Sequence, residues 1–273
     1  MLCRFHTKPF KYFTVLTAKR FTVLKFYRFN CKKFLRNTVF TIYLFTFAEH
    51  NLKSTNPMVI SVTSLKGGVG KSTISQNLAV CFAHAGYKTC IVDSDTNQSS
   101  VRWSGLRAEE QPSIFVSGLP DGKELAKNVK ILNESFEIIL IDGTPSLSAM
   151  TSKILLLADL VVIPVLPSAL DLWATQLFLD RLTDAKEQRE QHIPAYFALN
   201  QYDERTSFSR ETREALDALG AEGLRVFKTP VKNRAAYKKA IVEGLGVFEF
   251  SDAKAREEMV SLFNEVQAVL KSL

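Results

Sequence analysis

Few features in this 273-residue sequence would direct it to a metal cluster, the secretory route or the bilayer interior. Its four cysteines, Cys3, Cys31, Cys81 and Cys90, show no C-x-x-C or other metal-ligand spacing, which excludes reading them as a zinc framework. Cys81 falls in a helical pattern and Cys90 in a strand pattern, as buried free thiols of a reducing compartment do. The most apolar run of the first 57 residues, Val39 to Ala48, is about ten residues long and holds Thr41 and Thr46. A bilayer span needs about 20. That segment also lacks a clear signal-peptide cleavage pattern.

Acidic residues are nearly missing from the same segment. Residues 1–57 hold eleven Lys/Arg against one acid, Glu49, which leaves 24 basic and 27 acidic residues for the remainder. The net charge of +7 therefore belongs to the N-terminal piece, and the bulk charge of the body does not point to nucleic acid. Ten of the twenty phenylalanines lie in this piece, without sustained helical or alternating periodicity. Three readings compete: an organelle-targeting or anionic-surface arm, a nucleic-acid-binding arm, or upstream sequence read in frame before a start at Met58. The third is favoured, because Met58-Val59-Ile60-Ser61-Val62 makes a natural first strand. The intact mass of the protein from its native host tests it. The expected division is thus an extension over 1–57, disordered or not part of the functional protein, and a domain over 58–273.

From Met58 onward apolar runs alternate with amphipathic stretches. Strands are expected at Val59–Thr63, Thr89–Asp93, Ile114–Ser117, Glu137–Asp142, Leu160–Val165, Ala195–Asn200 and Arg225–Lys228. Several are continuous Val/Ile/Leu runs, as in parallel strands buried on both faces. Helical patterns lie between them. In Thr73–Ala85 one face carries Ile74, Leu78, Cys81, Phe82 and Ala85, and Gly86 supplies the stop; Leu170–Arg189 is another. This alternation predicts a three-layer α/β domain, a mostly parallel sheet flanked by helices and joined by right-handed crossovers.

A glycine-rich loop follows the first strand and opens the first helix: Lys66-Gly67-Gly68-Val69-Gly70-Lys71-Ser72-Thr73. Gly67, Gly68 and Gly70 allow a tight turn whose backbone N–H groups face phosphate oxygens, reinforced by the helix dipole. Lys71 supplies a point charge to the β- and γ-phosphates, and the Ser72 hydroxyl suits Mg²⁺. ATP and Mg²⁺ are the expected cofactors, with Thr73 placed for the α-phosphate. Two further strands end in carboxylates: Asp93-Ser94-Asp95 closes one, and Ile138-Ile139-Leu140-Ile141 runs into Asp142-Gly143. Phosphoryl transfer needs positioning and charge neutralisation more than covalent chemistry, and carboxylates past strand C-termini suit both.

A generic phosphate loop does not require Lys66. The spacing Lys-Gly-Gly-x-Gly-Lys-Ser resembles the deviant Walker A motif of the ParA/MinD family, and the resemblance extends over 58–273. It is nearest to small ParA-type, ParF-like plasmid partition ATPases, on Leu160–Ser168 with Leu170-Asp171-Leu172 and on Ala240–Gly244 with Val247-Phe248-Glu249. The resemblance implies that Lys66 reaches across an ATP-bound homodimer to the partner's phosphates. It implies that Asp93 and Asp142 support the Mg²⁺ shell and that Asp95 orients the attacking water. Asp95-Thr96-Asn97 departs from the family's Asp-Pro-Gln, which bears on hydrolysis rate; Ser99 and Trp103 return to the pattern. By the same analogy the Thr229-Pro230-Val231 turn lies near the adenine.

A ParA-like assignment implies weak intrinsic ATPase activity, nonspecific DNA binding in the ATP state and stimulation by a centromere-binding, ParB/ParG-like partner. The setting is the cytoplasm, on the nucleoid. Lys228, Lys232, Arg234, Lys238 and Lys239 are the candidate DNA contacts, against the alternative of a solvated helix face. A MinD-like membrane-cycling or protein-cargo ATPase is the rival. Its amphipathic C-terminal helix has a counterpart in the stripe Met259, Leu262, Phe263, Val266, Val269, Leu270 and Leu273. The polar face carries Glu257, Glu258 and Glu265 against Lys271, whereas membrane-surface helices are usually basic there, so packing on the core is preferred. An iron-protein-like cluster carrier would need interface cysteines, and a non-catalytic nucleotide-dependent scaffold remains a further alternative.

Overall fold

The computed structural model describes residues 57–146, 148–189, 193–219 and 224–273 and the backbone of 12–17 and 20–25. In the first segment β1 (Tyr12–Thr17) and β2 (Arg20–Lys25) pair antiparallel, from Tyr12 opposite Lys25 to Thr17 opposite Arg20. The sequence shows no sustained alternation there, so this hairpin is not anticipated. The rest of 1–56 lies outside the described residues, as do the side chains of Leu170-Asp171-Leu172.

The remainder is built on seven parallel strands: β3 (Met58–Val62), β4 (Thr89–Asp93), β5 (Phe115–Gly118), β6 (Ile138–Asp142), β7 (Leu160–Val165), β8 (Ala195–Leu199) and β9 (Arg225–Val226). Their order is β5-β4-β6-β3-β7-β8-β9. Successive strands go to one side of β3 and then, from β7, to the other. The loop after β3 therefore lies where the order reverses, the place where open α/β sheets bind ligands. Asp93 and Asp142 stand opposite each other in the register of β4 and β6, and Val62 stands opposite Asp142. The topology thus gathers three strand ends at one edge.

The helices are α1 (Lys71–His84), α2 (Ser99–Ser104), α3 (Gly122–Leu132), α4 (Ala149–Leu157), α5 (Ala169–Arg189), α6 (Ser207–Ala218), α7 (Ala235–Val242) and α8 (Ala253–Leu270). Val59, Cys90, Val92, Ile139 and Ile141 pack with Leu125, Val129 and Ile154 of α3 and α4. By the two-residue period of a strand, Ile60, Ile91 and Leu140 face the opposite layer, and they are fully buried. This is the expected three-layer α/β architecture.

Pro164, within β7, is tolerated for a topological reason. The Val162 carbonyl accepts from Thr63 on the β3 side, and the Val161 N–H donates to Pro194 on the β8 side. Two residues on from Val162, the missing N–H of Pro164 therefore faces the side that β3 has already left.

Helix α1 is buried beyond its apolar face, with Ser75, Gln76 and Asn77 as inaccessible as Leu78. The C-terminal segment covers it. Phe82 meets Phe263 of α8 edge-on at 4.8 Å, and the Asn77 side-chain oxygen accepts from the Val247 N–H at 2.7 Å. Met259, Leu262, Phe263, Val266 and Leu270 are buried, while Leu273 is exposed. The stripe on α8 is therefore core. Among the described residues no helix is long and apolar enough to cross a membrane.

Two acids on the polar face of α8 bond to the chain that precedes it. Glu265 accepts from the Lys228 and Thr229 N–H groups and the Thr229 hydroxyl, at 2.6–2.9 Å. Glu258 accepts from the Lys232 N–H, the Tyr237 hydroxyl and Arg234 Nε, at 2.8–3.2 Å. Phe227 still donates to Phe197 of β8, but Lys228 and Thr229 bond to α8 instead, and β9 has two residues rather than the four expected.

Candidate functional site

The loop between β3 and α1 is a phosphate cradle by its conformation. Gly68 and Gly70 have φ of 77° and 95°, a region in which a side chain is strained. At Gly70 space adds a second reason, since a Cβ there would lie 2.0 Å from the Asn200 amide nitrogen. Gly70 caps α1 without a side-chain bond, and no acidic residue occupies the first turn. The free N–H groups and the helix dipole are left for an anion.

Lys71 is 6% exposed, and its ammonium donates to the Lys66 carbonyl at 2.8 Å. Burial lowers its pKa, against the opposing pull of the Asp142 and Asp95 carboxylates. Loop lysine and both acids therefore share one electrostatic neighbourhood, although Asp95 and Lys71 are 24 positions apart. Lys66 Nζ lies 3.3 Å from the Ser168 hydroxyl, just past β7. Val69 is buried, whereas Ser72 and Thr73 are half-buried at the helix start.

Asp93 is fully buried and acts as a cap at a distance. Its Oδ2 accepts from the N–H groups of Ser100 and Val101, at 2.8 and 3.2 Å, and its Oδ1 from the Asp95 N–H at 3.2 Å. Burial raises its pKa, those three N–H groups oppose the rise, and the Asp95 charge adds to it. Asp95 Oδ1 accepts in turn from the Asn97 N–H at 2.9 Å, so Thr96-Asn97 still allows a local side-chain-to-backbone turn.

Asp142, also fully buried, receives the Ser100 hydroxyl on Oδ2 at 2.7 Å. Its pKa is pushed up to about 7 by burial first and then by Asp93, while the Ser100 and Ser72 hydroxyls and the Lys71 ammonium favour the charged form. Its Oδ1 is buried without a hydrogen-bond partner. An orphaned carboxylate oxygen beside a serine hydroxyl and a lysine fits a hydrated Mg²⁺. Among the described residues no group of three or more His, Cys, Asp or Glu could cage a metal. An ion here would rely on Ser72, phosphate oxygens and waters, the usual pattern for Mg²⁺ in nucleotide sites.

A cleft of about 100 Å³ opens beside the loop, lined by Gly68, Gly70, Thr73, Asn200, Tyr237 and Ile241 among others. Pro230 is not among its lining residues, so the expectation for that turn gains no support from this cleft. Lys232, Arg234 and Lys238 do line it. The five candidate DNA cations thus divide. Lys228, Lys238 and Lys239 are exposed, whereas Lys232 pairs with Glu204 at 3.1 Å and Arg234 with the buried Glu258 at 3.2 Å.

Asn200 and Ser100 are the residues that sequence reasoning missed. Asn200 follows an apolar strand end, the one available signal; Ser100 shares a loop-to-helix segment with Asp95. Cys81 and Cys90 are buried free thiols whose pKa burial raises, that of Cys90 to about 12. Both are inert core groups.

Comparison with known proteins identifies the family and the fold. A family model described as the CobQ/CobB/MinD/ParA nucleotide binding domain matches residues 60–247. The chain is 31% identical over 221 residues to the maintenance of carboxysome distribution protein A of Halothiobacillus neapolitanus, covering 79% of this chain and 99% of that protein. It is 29% identical over 181 residues to a protein ParA of Rhizobium radiobacter, covering 66% and 80% respectively. Among solved structures, Cyanothece McdA in complex with ATP superposes with a TM-score of 0.66 at 16% identity, covering 77% of this chain and 96% of that one. The Pyrococcus furiosus cell division ATPase MinD gives 0.60 at 20% identity, covering 78% and 99%. At these identities the two structures establish the fold.

Proposed function

The chain belongs to the CobQ/CobB/MinD/ParA nucleotide-binding family, and from that premise we propose that it is an ATP- and Mg²⁺-dependent ATPase that positions a cargo in the cell. One observation carries the reading. Beside a phosphate loop the buried Lys71 ammonium feels the charges of the Asp142 and Asp95 carboxylates, and Asp142 keeps one buried oxygen without a hydrogen-bond partner. The loop N–H groups and Lys71 hold the β- and γ-phosphates, Ser72 offers its hydroxyl to Mg²⁺, and Asp142 and Asp93 hold the surrounding water shell. Bound Mg²⁺ supplies neutralisation of the phosphate charge. Asp95 is half-buried and held at the end of β4, and it orients the attacking water. The cleft beside Asn200 takes the base.

Lys66 leaves Ser168 and reaches a partner's phosphates when two copies close on ATP. The ATP-bound homodimer then binds DNA without sequence preference through the exposed Lys238 and Lys239. In the DNA-partition reading a centromere-binding partner stimulates hydrolysis, and the protein works in the cytoplasm on the nucleoid. A second reading has a specific observation in its favour: the relative matched over 99% of its own length maintains carboxysome distribution. That favours a protein assembly as cargo.

The test is binding of the full chain to random duplex DNA with ATP–Mg²⁺ and with ADP–Mg²⁺ across a salt series. ATP-dependent binding that weakens with salt supports an ATP-switched DNA-binding step. Equal binding in both nucleotides, or none, overturns that step and turns attention to cargo proteins.

A further inference from the structure

Ser100, near the start of α2, joins three elements of the site. Its N–H donates to Asp93 Oδ2 at 2.8 Å, at the end of β4. Its hydroxyl lies 2.7 Å from Asp142 Oδ2, at the end of β6. Gln76 Nε2, from α1, lies 3.2 Å from the same hydroxyl. Both side chains are buried, Ser100 at 0% and Gln76 at 1% exposure.

A serine hydroxyl carries one proton, and an amide nitrogen can only donate. Gln76 therefore occupies a lone pair of Ser100 Oγ, and the Ser100 proton is left for Asp142. The opposite amide orientation would bury two unpaired N–H donors and draw the Ser100 proton away from Asp142. The observed one pairs an N–H with Ser100 Oγ and leaves Gln76 Oε1 without a partner. An apolar residue of similar size at position 76 would bury no unpaired atom at all. The hydrogen bond to Ser100 is what distinguishes the glutamine.

We propose that Ser100, oriented by Gln76, is a positioning residue for Asp142: it holds Oδ2 and leaves the buried Oδ1 for a Mg²⁺-bound water. Because Ser100 stands five residues after Asp95 on one loop-to-helix segment, a shift of that segment also moves the support of Asp142. The hydrogen bonds at Asp93 and Asp142 thus couple the water-orienting loop to the metal shell. This rests on the Mg²⁺–nucleotide reading of the site.

The test titrates Mg²⁺ against binding of a fluorescent ATP analogue to the full chain, with thermal unfolding recorded alongside. In Ser100→Ala the Mg²⁺ concentration for half-maximal binding should rise about tenfold, as losses in the outer shell of a metal site commonly do. Nucleotide binding without Mg²⁺ should stay as in wild type, and Ser100→Thr should restore the Mg²⁺ response. Gln76→Leu, which leaves the contacts of Ser100 with Asp93 and Asp142 in place, should show a smaller rise in the same direction and keeps the test open if Ser100→Ala does not fold. An unchanged Mg²⁺ midpoint in folded Ser100→Ala, or in Gln76→Leu where only that variant folds, overturns the proposal alone. A wild-type protein that binds nucleotide without any Mg²⁺ response overturns the site reading, and this proposal with it.

Discussion

The side-chain amide of Asn200, just past the end of β8, donates to the Val69 carbonyl at 2.7 Å and so holds the phosphate loop from a strand 131 positions away. The same nitrogen fills the space that a Cβ on Gly70 would need. Loop and strand end are thereby fitted to each other. Asn200→Ala should leave the Val69 carbonyl unsatisfied and lower stability by about 1–3 kcal/mol. Gly70→Ala should be worse for function, because it strains the backbone and displaces Asn200. Nucleotide affinity should fall at least about tenfold. Calorimetric titration with ATP–Mg²⁺, beside a urea melt, measures both.

Asp95 and Lys71 should separate cleanly in kinetics. Lys71→Ala removes the buried ammonium from the phosphate site, so nucleotide binding itself should weaken. Asp95→Ala leaves the cradle intact and should lower turnover by about a hundredfold or more with binding retained. A steady-state ATPase assay with parallel nucleotide binding distinguishes them. Unchanged turnover in Asp95→Ala would remove its proposed role.

Much of this site is legible in the sequence because its parts sit at strand ends, where apolar runs stop abruptly. Gly68 and Gly70, Lys71, Asp93 and Asp142 each follow such a run or open a helix, and their spacing carries the chemistry. The same alternation foretells the parallel sheet. What stays hidden depends on which loop folds back on which helix. The roles of Glu258 and Glu265 stay hidden because helical projection cannot show residues 228–237 returning to α8. Arg234 reads as a free cation for the same reason. Asn200 is one asparagine among several, and only the approach of β8 to the loop gives it a role.

Glu249 should govern part of the acid stability. Burial alone would raise its pKa, but His84, Arg107 and the Gly246 N–H hold the carboxyl at about 2. The folded state therefore binds this proton more weakly than the unfolded chain, where the value is about 4.5. Its contribution is complete above pH 4.5 and is lost as pH falls toward 2. The gap is worth roughly 3 kcal/mol. Glu249→Gln should be less stable than wild type at pH 7, and the difference should shrink across that window in urea melts.

Glu258 should matter more for stability than its place on an acidic helix face suggests. Glu258→Ala would leave the half-buried Arg234, the Tyr237 hydroxyl and the Lys232 N–H without their shared acceptor. A loss of about 3–5 kcal/mol is expected for breaking such a pair from one side. Thermal unfolding of the variant checks this. A loss below 1 kcal/mol would mean that water replaces the carboxylate.

The division among the basic residues gives the last prediction. Lys238 and Lys239 are exposed on α7, whereas Arg234 is bound to the buried Glu258. If DNA phosphates meet this surface, Lys238→Ala should weaken ATP-dependent DNA binding about equally for all sequences. It should also reduce the slope of log affinity against log salt by about 1, the signature of one lost phosphate contact. Arg234→Ala should instead lower the melting temperature, because it strips a buried carboxylate of its cation. Any loss of DNA binding in that variant should follow unfolding and leave the salt slope of the folded fraction unchanged. The reverse pattern, a changed slope for Arg234→Ala and none for Lys238→Ala, would make Arg234 rather than Lys238 the phosphate contact.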